Sequence, residues 1–145
     1  MREIFAGSLV YAANWDEFQT VSFWDLLDYV GIDAYFPLSS SQTPSVEELL
    51  LGWVRWISLI ETWQREVGKP VIFTEVGYRS IDYAGREPWE WTIEGSYNPQ
   101  AQANCYDAVL QAFSGKPWFA GLFFWNWQPK PDGGGPGDLD YTPQN

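Results

Sequence analysis

The chain has 145 residues, enough for one domain with a sizeable core, or for part of a larger one. Its formal net charge is −11, from 19 acidic against 8 basic residues, a field that repels phosphate backbones and anionic lipid and argues against nucleic-acid and membrane partners. There is no His, which removes Ser-His-Asp and Cys-His catalysis and the commonest zinc ligand, and leaves acid–base work to carboxylates helped by Tyr and Lys.

Aromatic residues are the anomaly: 10 Trp, 8 Tyr and 9 Phe make up 19% of the chain. Most are expected in the core, but Trp at this density also suits sugar rings, whose C–H faces stack on an indole while its N–H bonds a hydroxyl. A neutral polysaccharide is compatible with the charge. The single Cys105 excludes an internal disulfide and reads as a small buried thiol in a helix. Met1 opens no recognisable signal peptide and no apolar run reaches transmembrane length. The chain can begin inside a longer protein, so cytoplasmic and secreted locations both stay open.

In chain order, the first expected strand runs from Ile4 to Trp15, centred on Leu9 to Ala13 and closed by Asn14-Trp15. Ser22 to Tyr29 follows as a short amphipathic stretch, with Phe23, Leu26, Leu27 and Val30 at helical spacing. The second strand is Val30 to Phe36, ended by Pro37 and a polar loop. Ser45-Val46-Glu47-Glu48 then has the capping-box pattern, in which Ser45 and Glu48 satisfy two backbone N–H groups reciprocally. The helix it opens carries Leu49, Leu50, Trp53, Trp56, Ile57, Ile60 and Trp63 on one face and is stopped by Gly68-Lys69-Pro70.

The third strand, Val71 to Val76, is apolar until Glu75. A buried parallel strand is covered on both faces, so a carboxylate there is costly unless it is partnered or used. The bland alternative is a strand-end Glu that escapes to solvent or pairs with Arg79. A long loop from Gly77 to about Asn98 carries Arg79, Arg86, Trp89 and Trp91. The next helix, Gln100 to Phe113, is expected to turn Ala103, Tyr106, Val109, Leu110 and Phe113 inward. Phe119 to Trp127 is the fourth strand, and the Pro/Gly-rich segment 128–145 reads as an irregular loop.

Strands alternating with helices imply a mainly parallel α/β sheet with right-handed crossovers. No Gly-rich phosphate loop follows a strand, which argues against a Rossmann domain. A flavodoxin-like sheet or four βα units of a (β/α)8 barrel remain. All four strands acquire polar or aromatic groups at their C-terminal ends: Asn14-Trp15, Asp33-Ala34-Tyr35, Glu75 with Tyr78, and Trp125-Asn126-Trp127. Barrel enzymes place their catalytic groups at these ends. Alternation puts Asp33 and Tyr35 on one face, as it does Trp125 and Trp127. Asp33 reads equally as a loop anchor or as a substrate contact. Glycoside hydrolysis suits this inventory, since it uses two carboxylates, about 5–5.5 Å apart in retaining enzymes, with aromatic walls around them.

Three segments together, Val30 to Leu38, Lys69 to Ser80 and Trp118 to Trp127, resemble glycoside hydrolase family 113, a group of β-mannanase-like enzymes in the retaining (β/α)8 clan. The likeness runs in order over nearly the whole chain. It implies that residues 1–127 are the C-terminal half of a TIM-barrel catalytic domain, strands five to eight, followed by the irregular tail. It implies that Glu75 is the catalytic nucleophile with Tyr35 beside it. Trp125 or Trp127 would floor the sugar site, and Asn14 and Trp15 would line the cleft. No cofactor or metal is implied.

The clan's acid/base is a Glu following an Asn at the end of strand four, and this chain contains no Asn-Glu pair. The resemblance therefore implies a nucleophile half that is nearly inactive alone and acts on a β-linked oligo- or polysaccharide once completed. The competing reading is a non-catalytic carbohydrate-binding or structural half-barrel, which would pair with a partner half or with itself.

Overall fold

A computed structural model of the protein describes residues 4–130 and 132–144. Strands β1 (Val10–Asn14), β2 (Tyr29–Asp33), β3 (Val71–Val76) and β4 (Phe119–Phe124) form one parallel sheet in chain order. Helix α1 (Val46–Val67) joins β2 to β3, and α2 (Pro99–Phe113) joins β3 to β4. Both helices cover the same face: the ring of Phe73 lies 6.2 Å from Trp53 of α1 and 4.7 Å from Phe113 of α2. A flavodoxin-like sheet reverses its strand order and carries helices on both faces. Sequential order with one-sided helices is instead the arc of a barrel.

Burial follows from alternation. Val30, Ile32, Ala34 and Phe36 point to the helices and are fully buried, while Asp33 and Tyr35 point to the other face and are half-buried. On that open face Phe123 is 62% exposed. Among the described residues β1 and β4 are edge strands. No helix of the described residues is long and apolar enough to cross a membrane.

Helix α1 starts where the capping pattern predicts, with the Glu48 N–H donating to Ser45 Oγ at 3.2 Å. The reciprocal bond of a capping box is not made. The Glu48 carboxylate instead accepts from Ser39 Oγ and, at 2.6 Å, from Ser41 Oγ, tying the loop after β2 to the helix. These hydroxyls hold its carboxyl below its usual range. At the other end Gly68 takes φ +67°, and its N–H donates to the Gln64 carbonyl at 2.7 Å, an αL cap that a side chain would strain. Helix α2 is capped by Asn98, whose Oδ1 accepts from the Ala101 N–H, with Pro99 in the first turn.

Several expectations are corrected. The first strand begins at Val10 rather than Ile4. The amphipathic stretch before β2 is no helix, but part of a connection holding two 3-10 turns, Phe18–Thr20 and Trp24–Leu26. In α2, Ala103 and Leu110 face outward, while Ala101, Cys105 and Ala108 take the buried positions. The small residues let α2 lie close against the sheet and α1. Among the described residues after Gln128 there is no helix or strand, yet Tyr141 and Thr142 there are buried. Pro131 and Asn145 lie outside the described residues.

Candidate active site

Simple alternation would send Glu75 to the helix side with Val71 and Phe73. A bulge changes this. Ile32 pairs with Phe73 and Asp33 with Glu75, so β3 advances two residues while β2 advances one. Across the other edge Phe73 pairs with Leu122 and Val76 with Phe124, again with one residue more on β3. The extra residue at Thr74–Glu75 returns Val76 and Tyr78 to the core, both 0% exposed, and leaves Thr74 and Glu75 half-buried. Bulges of this kind re-aim side chains beside active sites.

Tyr35 Oη donates to Glu75 Oε2 at 2.7 Å. Burial, reinforced by the adjacent carboxylate, pushes the Tyr35 phenol far above its ordinary range, so it remains a donor. Next to this pair, Thr74 Oγ1 donates to Asp33 Oδ1 at 2.8 Å. Burial raises the Asp33 carboxyl, and the Thr74 hydroxyl partly offsets that rise. Asn14 pairs in register with Asp33, and Asp33 with Glu75, so the three form one row across the strand ends. Ala13 is buried on the helix side, which turns Asn14 to the open face.

The strand end at Glu75 is braced from below. The Trp125 N–H donates to the Val76 carbonyl at 2.8 Å, and a Cβ on Gly77 would meet the Trp125 carbonyl oxygen at 2.2 Å and Tyr141 Cδ1 at 2.9 Å. Only glycine lets backbone and ring approach this closely. Tyr141 donates from its Oη to the Pro88 carbonyl at 2.8 Å and accepts on its own carbonyl from Tyr106 Oη at 2.7 Å. Its ring lies 6.3 Å from that of Tyr35 at an interplanar angle of 76°. Arg79 does not pair with Glu75. Its guanidinium donates to the carbonyls of Leu139 and Ile93, binding the tail to the β3–α2 loop.

Of the residues expected at the site, Asn14, Asp33, Tyr35 and Glu75 meet along the strand ends. Trp125 and Trp127, joined through the cis peptide Trp125–Asn126, stand exposed at the end of β4 by 45% and 63%. Trp15 is half-buried and packs against Phe36, Trp56 and Trp89. Tyr78 is the correction: its ring lies against Tyr106 in the core, and full burial leaves no surface for a ligand. Unbroken alternation would set Tyr78 on the open face with Thr74 and Val76, and the extra residue at the bulge turns it to the core instead. Thr74, Gly77 and Tyr141 were not anticipated. Thr74 carries a signal, a hydroxyl in an apolar strand, whereas Tyr141 lies in a segment whose composition says only loop. Among the described residues no group of three or more His, Cys, Asp or Glu could hold a metal ion.

Comparison with known proteins bears on this geometry. The model of Glycoside Hydrolase Family 113 matches residues 1–141. A solved complex of a GH113 β-1,4-mannanase is 25% identical with a TM-score of 0.81, covering 97% of this chain and 42% of its own. The GH113 β-mannanase AaManA from Alicyclobacillus acidocaldarius, in complex with ManMIm, is 28% identical with a TM-score of 0.72, over 87% of this chain and 36% of its own. The β-glucuronidase of Ruminococcus gnavus, at 15% identity and a TM-score of 0.58 over 82% of this chain and 19% of its own, shares the fold. No curated protein matches. The chain spans less than half the length of the mannanase structures it matches.

Proposed function

This chain belongs to glycoside hydrolase family 113, and we propose that it supplies the nucleophile half of a retaining, endo-β-mannanase-type active site. The observation that carries the reading is the hydrogen bond from Tyr35 to Glu75 at the C-terminal end of the sheet. Tyr35 occupies Oε2 and fixes the carboxylate's orientation, leaving Oε1 to attack the anomeric carbon. An acid/base carboxylate from outside these 145 residues would protonate the departing oxygen. Water, activated by that same group, would then release the sugar from the glycosyl–Glu75 ester. Asp33 and Thr74 hold the strand ends in register, Asn14 offers an amide to sugar hydroxyls, and Trp125 and Trp127 offer indole faces.

The substrate assigned is a β-linked mannan or oligosaccharide, a choice supported by the mannanases among the similar structures. Exposed Phe123 on the open face and the two edge strands support pairing with a complementary half. Alone, the chain is expected to release almost no reducing sugar. The test is complementation: an N-terminal family 113 half, fused or co-expressed, should restore hydrolysis of β-mannan with retention of anomeric configuration, and Glu75→Gln should abolish it. A complemented enzyme that kept its rate with Glu75→Gln would place the nucleophile elsewhere.

A further inference from the structure

Tyr35 lies beyond the last residue of β2, so strand pairing does not fix its side chain. Two torsions place its proton: χ1 swings Oη, and χ2 turns the ring plane, in which conjugation holds the O–H. The second is a soft torsion. Among the described residues the one ring against Tyr35 is that of Tyr141, edge to face at 6.3 Å and 76°. Tyr141 is itself held on every side. Its Cδ1 sits against Gly77, where a Cβ would come within 2.9 Å, and its Oη donates to the Pro88 carbonyl at 2.8 Å. That bond uses its only hydroxyl proton, so Tyr141 does not compete with Tyr35 for Glu75. The backbone around it is fastened too. Arg79 and Ser80, from the loop after β3, and Gln102 and Tyr106, from α2, donate to the consecutive carbonyls of residues 138–142. Irregular backbone has no ladder of its own, and here side chains of the rigid scaffold replace one.

Resting on the glycosidase reading above, we propose that Tyr141 is a positioning residue for the nucleophile: its ring fixes the ring plane of Tyr35 and, through the Tyr35 hydroxyl, the orientation of the Glu75 carboxylate. Tyr141 touches neither the attacking oxygen nor the sugar. Its effect passes through one hydrogen bond, the 2.7 Å contact from Tyr35 Oη to Glu75 Oε2. A phenol free to turn would have to be ordered again at each transition state, and an attacking oxygen tolerates little misplacement. Holding Tyr35 against a fastened ring settles that cost during folding. The irregular segment after β4 is thereby part of the machinery around Glu75.

The experiment has two arms. In the 145-residue chain alone, proton NMR should show the Tyr35 hydroxyl proton downfield, as in a charge-assisted O–H···O bond, identified by its absence from Tyr35→Phe. Tyr141→Leu should move it upfield or broaden it away, and Tyr141→Phe, which keeps the ring, should retain it. The Tyr106 hydroxyl proton, bonded to the Tyr141 carbonyl, reports in the same spectra that the tail stays docked. In the complemented enzyme, Tyr141→Leu should lower kcat about three- to tenfold with KM little changed. Added to Tyr35→Phe it should cost less than about twofold more, because the two residues act through one bond. The proposal is overturned by a Tyr35 proton that is missing from the unsubstituted chain, unmoved by Tyr141→Leu, or lost equally in Tyr141→Phe. Joint loss of the Tyr35 and Tyr106 protons would reduce Tyr141 to a residue of tail docking, and kcat losses that multiply would make the two residues independent; either also overturns it. The first arm needs no catalysis, and the nucleophile assignment stands or falls separately, on the rate of Glu75→Gln in the complemented enzyme.

Discussion

Tyr35 and Glu75 are 40 residues apart in sequence and joined by a 2.7 Å hydrogen bond across the ends of adjacent strands. The phenol arrives from an unbroken alternating strand, the carboxylate from a bulged one, and they meet only because the bulge adds one residue to β3. Tyr35→Phe removes the donor and keeps the ring. In the complemented enzyme it should lower kcat by roughly 10- to 100-fold with little change in KM, since an orienting bond to the nucleophile acts on the transition state more than on the bound sugar. An unchanged kcat would show that the bond plays no part in positioning Glu75.

Asp33→Asn should have a smaller effect than Glu75→Gln. Asp33 accepts from Thr74 inside the row of strand ends, and an amide of the same shape can still accept on its oxygen. A loss of under about tenfold in kcat is expected, against 10³-fold or more for the nucleophile. Steady-state rates of the two variants on one substrate give the comparison, and equal losses would assign Asp33 a direct part in chemistry.

Gly77→Ala should destabilise the chain and disturb the site together. The added Cβ would sit 2.2 Å from the Trp125 carbonyl oxygen, so the ends of β3 and β4 must separate. Overpacking against backbone typically costs about 1–3 kcal/mol. A lower Tm accompanied by loss of oligosaccharide binding is the expected result. An unchanged Tm would mean that the strand ends are looser than their contacts indicate.

Alkaline pH should unfold the chain steeply. Burial pushes the Tyr141 phenol up to about 12, and it raises Tyr35, Tyr78 and Tyr106 as well. In each case the folded state holds the proton more tightly than the unfolded chain does. Stability from these groups is therefore complete below pH about 10, the free phenol's value, and falls as pH rises toward 12 and beyond. Circular dichroism between pH 9 and 12 should show this loss, and Tyr141→Phe should make the decline shallower at its alkaline end. A flat profile across that window would contradict the burial of these phenols.

Much of this protein was legible in its residues because the relevant physics is local. Alternation marked β2 and separated Asp33 and Tyr35 from the buried Ile32 and Ala34, a capping serine and an αL glycine delimited α1, and a lone carboxylate in an apolar strand singled out Glu75. Those signals depend on neighbours a few positions away. The bulge does not. Whether Glu75 or Tyr78 reaches the open face depends on one extra residue opposite β2 and β4, which period-two counting along β3 cannot detect. The tail was invisible for the same reason, since its Pro and Gly content predicts irregular backbone but not that Tyr141 fills the space left by a missing Cβ at Gly77. The sequence by itself determined which groups could do chemistry and which strands carry them. Tertiary structure decided which face each group meets, because strand register and close backbone contact are properties of neighbouring segments and not of any one of them.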